Sequence, residues 1–340
     1  MRPLRIGMVG AGMVSSFHLS AWQRVSEFAH VVAICDLDSA KAAEHSRIFA
    51  IPGVWSDLDA MLDHERLDAI DVLTPPSAHA RACLAAAQRG IAILCQKPLA
   101  PTLEEARTLA VLLGERCRIM VHENWRFRPH YRQVENWLRN GQIGEPKRAT
   151  LWARSSGLLA DASGVRPALA RQPLLAVLDR LMVAEVLVHH LDLVRWLLGA
   201  SRVIRARTKN SVAQVAGESM AEIQLELPVR GVVTVGGDMA DPSSAPGLRD
   251  EFSLTGTEGE ISLKGDILTL KARRNTRIQV DLQADYLTSY ADTIAHFVHG
   301  LHEDREFETP VSWHLEVLKT VEDVYRLAAK SSTLPEKNHA

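Results

Sequence analysis

Three residues at helical spacing, Glu185, His189 and Asp192, place two carboxylates and an imidazole on one side of a helix. An imidazole, with an unperturbed pKa of about 6.5, is suited to take a hydroxyl proton at neutral pH, and a carboxylate beside it can fix its tautomer. Alone, such a group is more often a hydrogen-bonded pair in a core or on a surface. His190 points about 100° away around the same helix, which suits a structural or rim contact.

A second stretch that could do chemistry opens the chain: Ile6-Gly7-Met8-Val9-Gly10-Ala11-Gly12-Met13-Val14-Ser15. An apolar strand that runs into close glycines and then a helix aims backbone N–H groups and a positive helix end at one point, which suits a pyrophosphate. Gly10 allows the tight turn and Gly12 the close approach, while Ser15 stands where a third glycine is usual. A second apolar run, His30 to Cys35, ends at Asp36, whose carboxylate is placed to accept hydrogen bonds from an adenosine ribose. Leu37, Asp38 and Ser39 follow, with no Arg to neutralise a 2′-phosphate, so NAD is expected over NADP. The other reading of this stretch is a plain strand-turn-helix with a capping Asp.

The elements that must position these groups change character along the chain. Strands at 69–73, 91–95 and 118–121 alternate with helices at 39–49, 57–64, 78–89 and 103–113, the last capped by Thr102. This alternation predicts right-handed crossovers and a parallel sheet. Beyond His122 a helix is expected at 129–139, and then strands with period-2 patterning. Ala221, Ile223, Leu225 and Leu227 alternate with polar residues, as do Ile278, Val280 and Leu282, which predicts an antiparallel sheet with one buried face. Helices are expected at 178–198, 287–301 and 313–329. The segment 155–172 lacks periodicity and reads either as a binding loop or as a surface excursion.

The fold class is therefore α/β: a Rossmann-type parallel sheet over residues 1–122, then an α+β domain over 123–330 with a large, mostly antiparallel sheet, then a polar tail over 331–340. At 340 residues, two domains are expected. A 46% hydrophobic and 24% charged composition fits a well-packed soluble protein. The formal net charge of −2 gives no general attraction to nucleic acid or to an anionic membrane. Cys35, Cys83, Cys95 and Cys117 lack metal-ligand spacing, so buried free thiols, a reducing cytoplasm and no metal site are expected. No apolar run approaches membrane-spanning length.

In an open parallel sheet, ligands bind beyond the carboxyl ends of the strands. That rim holds Thr74-Pro75-Pro76-Ser77-Ala78-His79, Gln96-Lys97-Pro98, and His122-Glu123-Asn124-Trp125-Arg126-Phe127-Arg128-Pro129. Trp125, Arg126, Arg128, Trp152 and Arg154 are candidates for a pocket wall, with core or interface packing the plainer reading for the tryptophans.

Taken in order, these motifs resemble the glucose-fructose oxidoreductase and inositol dehydrogenase family, often called Gfo/Idh/MocA, over nearly the whole chain. The likeness adds Gly141-Gln142-Ile143-Gly144, Arg195-Trp196-Leu197-Leu198-Gly199 and Thr255-Gly256-Thr257-Glu258-Gly259 to the stretches above. It implies an NAD-dependent dehydrogenase acting on a secondary alcohol or ketone of a sugar, cyclitol or related polyol acid. By that resemblance Lys97 stabilises charge on the reacting oxygen, His189 is the acid/base and Glu185 takes the place of an assisting Asp. Cofactor contacts are expected from Gly10, Gly12, Met13, Val14, Asp36, Thr74, Pro75, His79, Gln96, Lys97 and Arg126, and substrate contacts from Lys97, Trp125, Arg126, His189 and Asp192. The second domain's open sheet face implies a homodimer or homotetramer. Gln96 stands where the family usually has Glu, Glu185 is one methylene longer than Asp, and residues 171–182 lack the glycine cluster many members carry. These departures imply a pocket unlike that of the commonest sugar dehydrogenases. Two other classes stay open: a glycoside hydrolase with transient oxidation of its substrate, and a non-catalytic cofactor-sensing binding protein.

Overall fold

The computed structural model describes residues 2–114, 117–199, 201–228 and 231–332. The expected polar tail lies outside the described residues from position 333 on; Ser331 and Ser332 end the last helix.

The first part of the chain alternates as its apolar runs predict: β1 (Leu4–Val9), α1 (Ser15–Gln23), β2 (Ala29–Cys35), α2 (Ser39–Phe49), β3 (Gly53–Trp55), α3 (Leu58–His64), β4 (Ala69–Val72), α4 (Pro76–Gln88), β5 (Ala92–Gln96), α5 (Leu103–Leu113) and β6 (Ile119–His122). The six strands pair in parallel in the order β3-β2-β1-β4-β5-β6. The order reverses between β1 and β4, which opens the switch-point crevice of a doubly wound sheet. β4 is buried along its whole length, as a strand covered on both faces must be. The three-residue β3 at the sheet edge is too short to leave a periodic signal, and the sequence reading passes over it.

Beyond β6 follow α6 (Pro129–Arg139), β7 (Pro146–Arg154), α7 (Pro167–Arg171), a π-helical turn over Met182–Leu187, and α8 (Val188–Leu198). Then come β8 (Arg202–Lys209), β9 (Met220–Glu226), β10 (Val232–Asp238), β11 (Arg249–Gly256), β12 (Glu260–Lys264), β13 (Ile267–Lys271), β14 (Thr276–Gln279), α9 (Leu282–His302) and α10 (Val311–Ser332). Strands β7 to β14 form one sheet in the order β14-β13-β12-β11-β7-β10-β9-β8. Every neighbouring pair in it is antiparallel except β7 with β10. On β9, Ala221, Ile223 and Leu225 are buried and their neighbours are not, as the alternation predicts.

Three expectations change. Residues 178–181 are not helical, and the helix expected there begins as a π-turn at Met182. The alternation through Ile278, Val280 and Leu282 breaks because β14 stops at Gln279 and Leu282 opens α9. The segment 155–172 is not structureless: Ser155 Oγ donates to Pro246 O at 2.7 Å, Asp161 takes the Ser163 and Val165 N–H groups, and α7 follows.

The chain forms two compact units: residues up to Pro129 with Gln283–Glu316, and His130–Leu282 with Val317 onward. The first unit thus runs past residue 122 and regains a distant segment. The reason is apolar: Tyr290, Ile294, Phe297 and Val298 of α9 share one core with Ile6, Met8, Leu19, Trp22, Ile34 and Leu94. Among the described residues no helix is long and apolar enough to cross a membrane. Cys35, Cys83 and Cys95 are buried and all four thiols are free; burial pushes Cys35 up to about 11.

α5 starts with a capping box, Thr102 Oγ1 accepting from Glu105 N at 3.2 Å and Glu105 Oε2 from Thr102 N at 3.0 Å. Thr102→Ala removes that acceptor and is expected to cost about 1 kcal/mol. Urea unfolding should show a lower midpoint with an unchanged slope.

Candidate functional site

The glycine turn leaves β1 at the switch point. Gly10 has φ +108°, and a Cβ there would lie 2.9 Å from the Leu73 carbonyl carbon, so glycine alone fits. Gly12 differs, since a Cβ there would meet nothing within 4 Å. Its α-carbon therefore borders open space where a phosphate can approach. α1 has no side-chain cap, and the N–H groups of Gly12, Met13 and Val14 meet no acceptor among the described residues. Three free amides, a positive helix end and room beside Gly12 fit a dinucleotide pyrophosphate.

Ser15 explains how the turn manages without a third glycine. Its hydroxyl is buried and donates to Gly12 O at 2.5 Å while lying 2.9 Å from His45 Nε2. Asp36, at the end of β2, is hydrogen-bonded to the turn itself: Oδ2 accepts from Ala11 N at 2.6 Å and Oδ1 from Asp38 N at 2.8 Å. Both bonds orient the carboxylate beside the glycine turn.

The neighbouring loops are tied together from within. Leu73 N donates to Val9 O at 2.7 Å, holding the loop after β4 against the glycine turn. Pro75 precedes α4 and Pro76 is its first residue, where a missing N–H costs nothing. Lys97 and Pro98 follow β5 through a cis peptide bond. His79 joins the two loops, with Nε2 2.7 Å from Thr74 O and Nδ1 3.0 Å from Pro98 O. Its ring is fully buried, so it holds the rim together rather than facing a ligand.

Below this rim lies a buried polar row that the sequence reading missed. Asp71, in the middle of β4, is inaccessible; its Oδ2 lies 2.8 Å from His18 Nδ1 and accepts from Trp22 Nε1 at 2.7 Å. Gln96 Nε2 lies 3.1 Å from His18 Nε2, and Gln96 Oε1 accepts the Lys97 N–H at 2.8 Å. The signal was available, because a carboxylate amid Ala69, Ile70 and Val72 is costly unless donors meet it.

Trp125 and Arg126 do not line an open wall. They are 7% and 1% exposed. Arg126 donates to Glu308 O at 3.1 Å and stacks 4.7 Å from the Trp313 ring, and Trp125 carries Arg128 at 3.8 Å over its ring. These contacts hold both side chains within the first unit. On the second unit's sheet, Arg154 pairs with Asp241 at 3.0 Å and stacks over Trp152.

In the second unit, Glu185 lies on the π-turn, and His189 and Asp192 follow on α8. Glu185 is half-buried; His189 and Asp192 are buried. His190 instead reaches Asp250 Oδ1 at 3.0 Å, whose other oxygen accepts from Tyr131 at 3.3 Å. Its position 100° around the helix leads it to that structural pair.

The start of the π-turn is held by Glu218, a residue no motif singled out. Its Oε1 accepts from Val183 N at 3.0 Å and from the Tyr325 hydroxyl at 2.6 Å, and its Oε2 accepts from Leu181 N at 3.3 Å. Burial, reinforced by the Glu218 charge, pushes the Tyr325 phenol up, so it remains a donor. Nothing local marks Glu218, because these partners lie 35 or more positions away in the chain.

Comparison with known proteins agrees with this architecture. Residues 4–123 match the oxidoreductase family with an NAD-binding Rossmann fold, and residues 131–262 match the GFO/IDH/MocA C-terminal domain. A D-apiose dehydrogenase of Paraburkholderia graminis is 32% identical, covering 97% of this chain and 89% of that protein. An inositol 2-dehydrogenase/D-chiro-inositol 3-dehydrogenase of Lacticaseibacillus casei is 24% identical, covering 91% and 88%. The crystal structure of an oxidoreductase from Agrobacterium radiobacter in complex with NAD+, L-tartaric acid and magnesium superposes with TM-score 0.89 at 25% identity, covering 97% of each chain.

Burial holds the His79 imidazole below its ordinary value of 6.5, against the carbonyls of Thr74 and Pro98 that favour the charged ring. Unfolding therefore takes up a proton once the pH falls below the unfolded value. The stability this group contributes is whole above about pH 6.5 and is lost as pH falls through the folded value. Urea unfolding of the wild type and His79→Gln at about pH 7.5, 6.5 and 5.5 should show the gap between them narrowing with acid. A constant gap would contradict this.

Proposed function

Because the chain belongs to the GFO/IDH/MocA family of NAD-binding oxidoreductases, we propose that it moves hydride between NAD and the carbinol carbon of a sugar, cyclitol or related polyol acid. The observation that carries the reading is the rim of the parallel sheet, where the free amides after β1 and the Lys97 turn after β5 leave the same carboxyl edge on either side of β4. The D-apiose and inositol dehydrogenase relatives and the L-tartaric acid complex support the substrate class.

Bound NAD supplies the hydride acceptor. Gly12, Met13 and Val14 hold its pyrophosphate through backbone N–H groups, and Asp36 accepts from the adenosine ribose. His189 takes the hydroxyl proton as the hydride leaves the same carbon, and Glu185 orients the imidazole. Lys97 stabilises the negative charge that grows on the oxygen. In the reverse direction the same groups return the proton to a ketone.

Incubation with NAD and D-apiose, myo-inositol or L-tartrate should yield NADH with at least one of them. Lys97→Ala and His189→Ala should each lower kcat by roughly 10²- to 10⁴-fold with NAD affinity little changed. Normal turnover by both variants would remove these roles. Asp36→Ala should weaken NAD binding about tenfold and erode the preference over NADP, as read by fluorescence titration with the reduced cofactors.

A further inference from the structure

The residue that departs from the family's pattern, Gln96, sits at the junction between the Lys97 turn and the buried row beneath it. Its orientation is set by one bond. The Lys97 N–H can only donate, and it meets Gln96 Oε1 at 2.8 Å. The other end of the amide, Nε2, has two N–H groups and no lone pair to offer. It faces His18 Nε2 at 3.1 Å and His122 Nδ1 at 3.5 Å.

A donor meets a ring nitrogen productively only where that nitrogen carries a lone pair. His18 Nε2 must therefore be bare, with the ring proton on Nδ1, 2.8 Å from Asp71 Oδ2. The same oxygen accepts from Trp22 Nε1, an indole that can only donate. The polarity of the whole row thus follows from a backbone amide at one end and an indole at the other. His18 is enclosed on every side: Asp71 from β4, Trp22 from α1, Gln96 from β5, the His122 ring at 4.2 Å from β6 and the Tyr290 ring at 5.4 Å from α9.

We propose that Gln96 is a positioning residue for Lys97 that works with a neutral, Nδ1-protonated His18. The Asp71 carboxylate holds the proton on Nδ1, the bare Nε2 accepts from the amide N–H of Gln96, and the amide oxygen holds the backbone from which the Lys97 side chain departs. This rests on the reading of Lys97 as the group at the reacting oxygen. A glutamate at position 96 would accept the Lys97 N–H equally well, but its second oxygen would face the bare His18 Nε2, lone pair against lone pair. The row would hold only if one further proton entered it, either on His18, which would then stand as a cation between two carboxylates, or on the new carboxyl group itself. Gln96 is thus matched to the uncharged ring.

The test is ¹⁵N NMR of histidine-labelled full-length protein, with His18 assigned by the signals lost in His18→Asn. Wild-type His18 should show a protonated Nδ1 and a bare Nε2, and in Gln96→Glu the Nε2 signal should shift as that nitrogen meets the further proton. With whichever of D-apiose, myo-inositol and L-tartrate the wild type oxidises, Gln96→Glu should lower kcat roughly tenfold or more through misplacement of Lys97, with the NADH dissociation constant little changed. A protonated Nε2 in the wild type would overturn the proposal, and so would a Gln96→Glu protein with the wild-type tautomer and wild-type kcat. If Gln96→Glu fails to fold, the wild-type tautomer alone decides. Normal turnover by Lys97→Ala would defeat the reading of Lys97 while leaving the His18 result to stand on its own.

Discussion

A carboxylate at the centre of a parallel sheet calls for donors, and the first unit brings two of them to Oδ2 of Asp71. Leaving such a group buried without partners costs several kcal/mol, about 3–5 by the usual effect of breaking a buried pair. The donors come from His18 and Trp22, both on the helix that follows the glycine turn. The same histidine meets Gln96, from whose side chain the backbone of Lys97 hangs. One buried carboxylate therefore sets the seat of α1, which the free amides of Gly12, Met13 and Val14 directly precede, and the exit of the Lys97 turn. Displacing Asp71 would loosen both at once.

The second unit uses the same physical device at a different place. Glu218 meets the amides that open the π-turn and the hydroxyl of Tyr325, so a buried carboxylate again fixes where the segment that carries Glu185 begins. The π-turn is wider than an α-turn and is sustained only where tertiary contacts hold its ends. Here those contacts include the Arg180–Glu322 pair and the stacking of Arg180 over Tyr325. Glu185 thereby departs from a segment whose geometry is imposed from outside the helix.

Much of the architecture was legible in the residues. Continuous apolar runs marked the buried parallel strands, alternation marked β9, and Thr102 marked the start of α5. The glycine turn was legible because Gly10 needs a positive φ and the absence of a Cβ, both properties of one residue. What escaped was either too short for a period, as in β3, or dependent on distant chain. Residues 178–181 have helix-compatible composition yet lie outside the helix, because Glu218 claims the amides of Leu181 and Val183. Trp125 and Arg126 sit at the rim in sequence, but contacts from residues near 286, 308 and 313 draw them inward.

The residues by themselves determined most of the elements and their sequence, the parallel pairing of the first sheet, and the chemical types gathered at its rim. Those features obey rules that act between near neighbours: period, turn geometry, capping and the handedness of crossovers. Tertiary structure alone decided which polar groups are partners. It paired Asp71 with His18, set the sense of the Gln96 amide, gave His79 to two carbonyls and returned α9 to the first core. The reason is the cost of burial: once water is removed, each donor and acceptor must find its complement in space, and that complement is set by packing rather than by position along the chain.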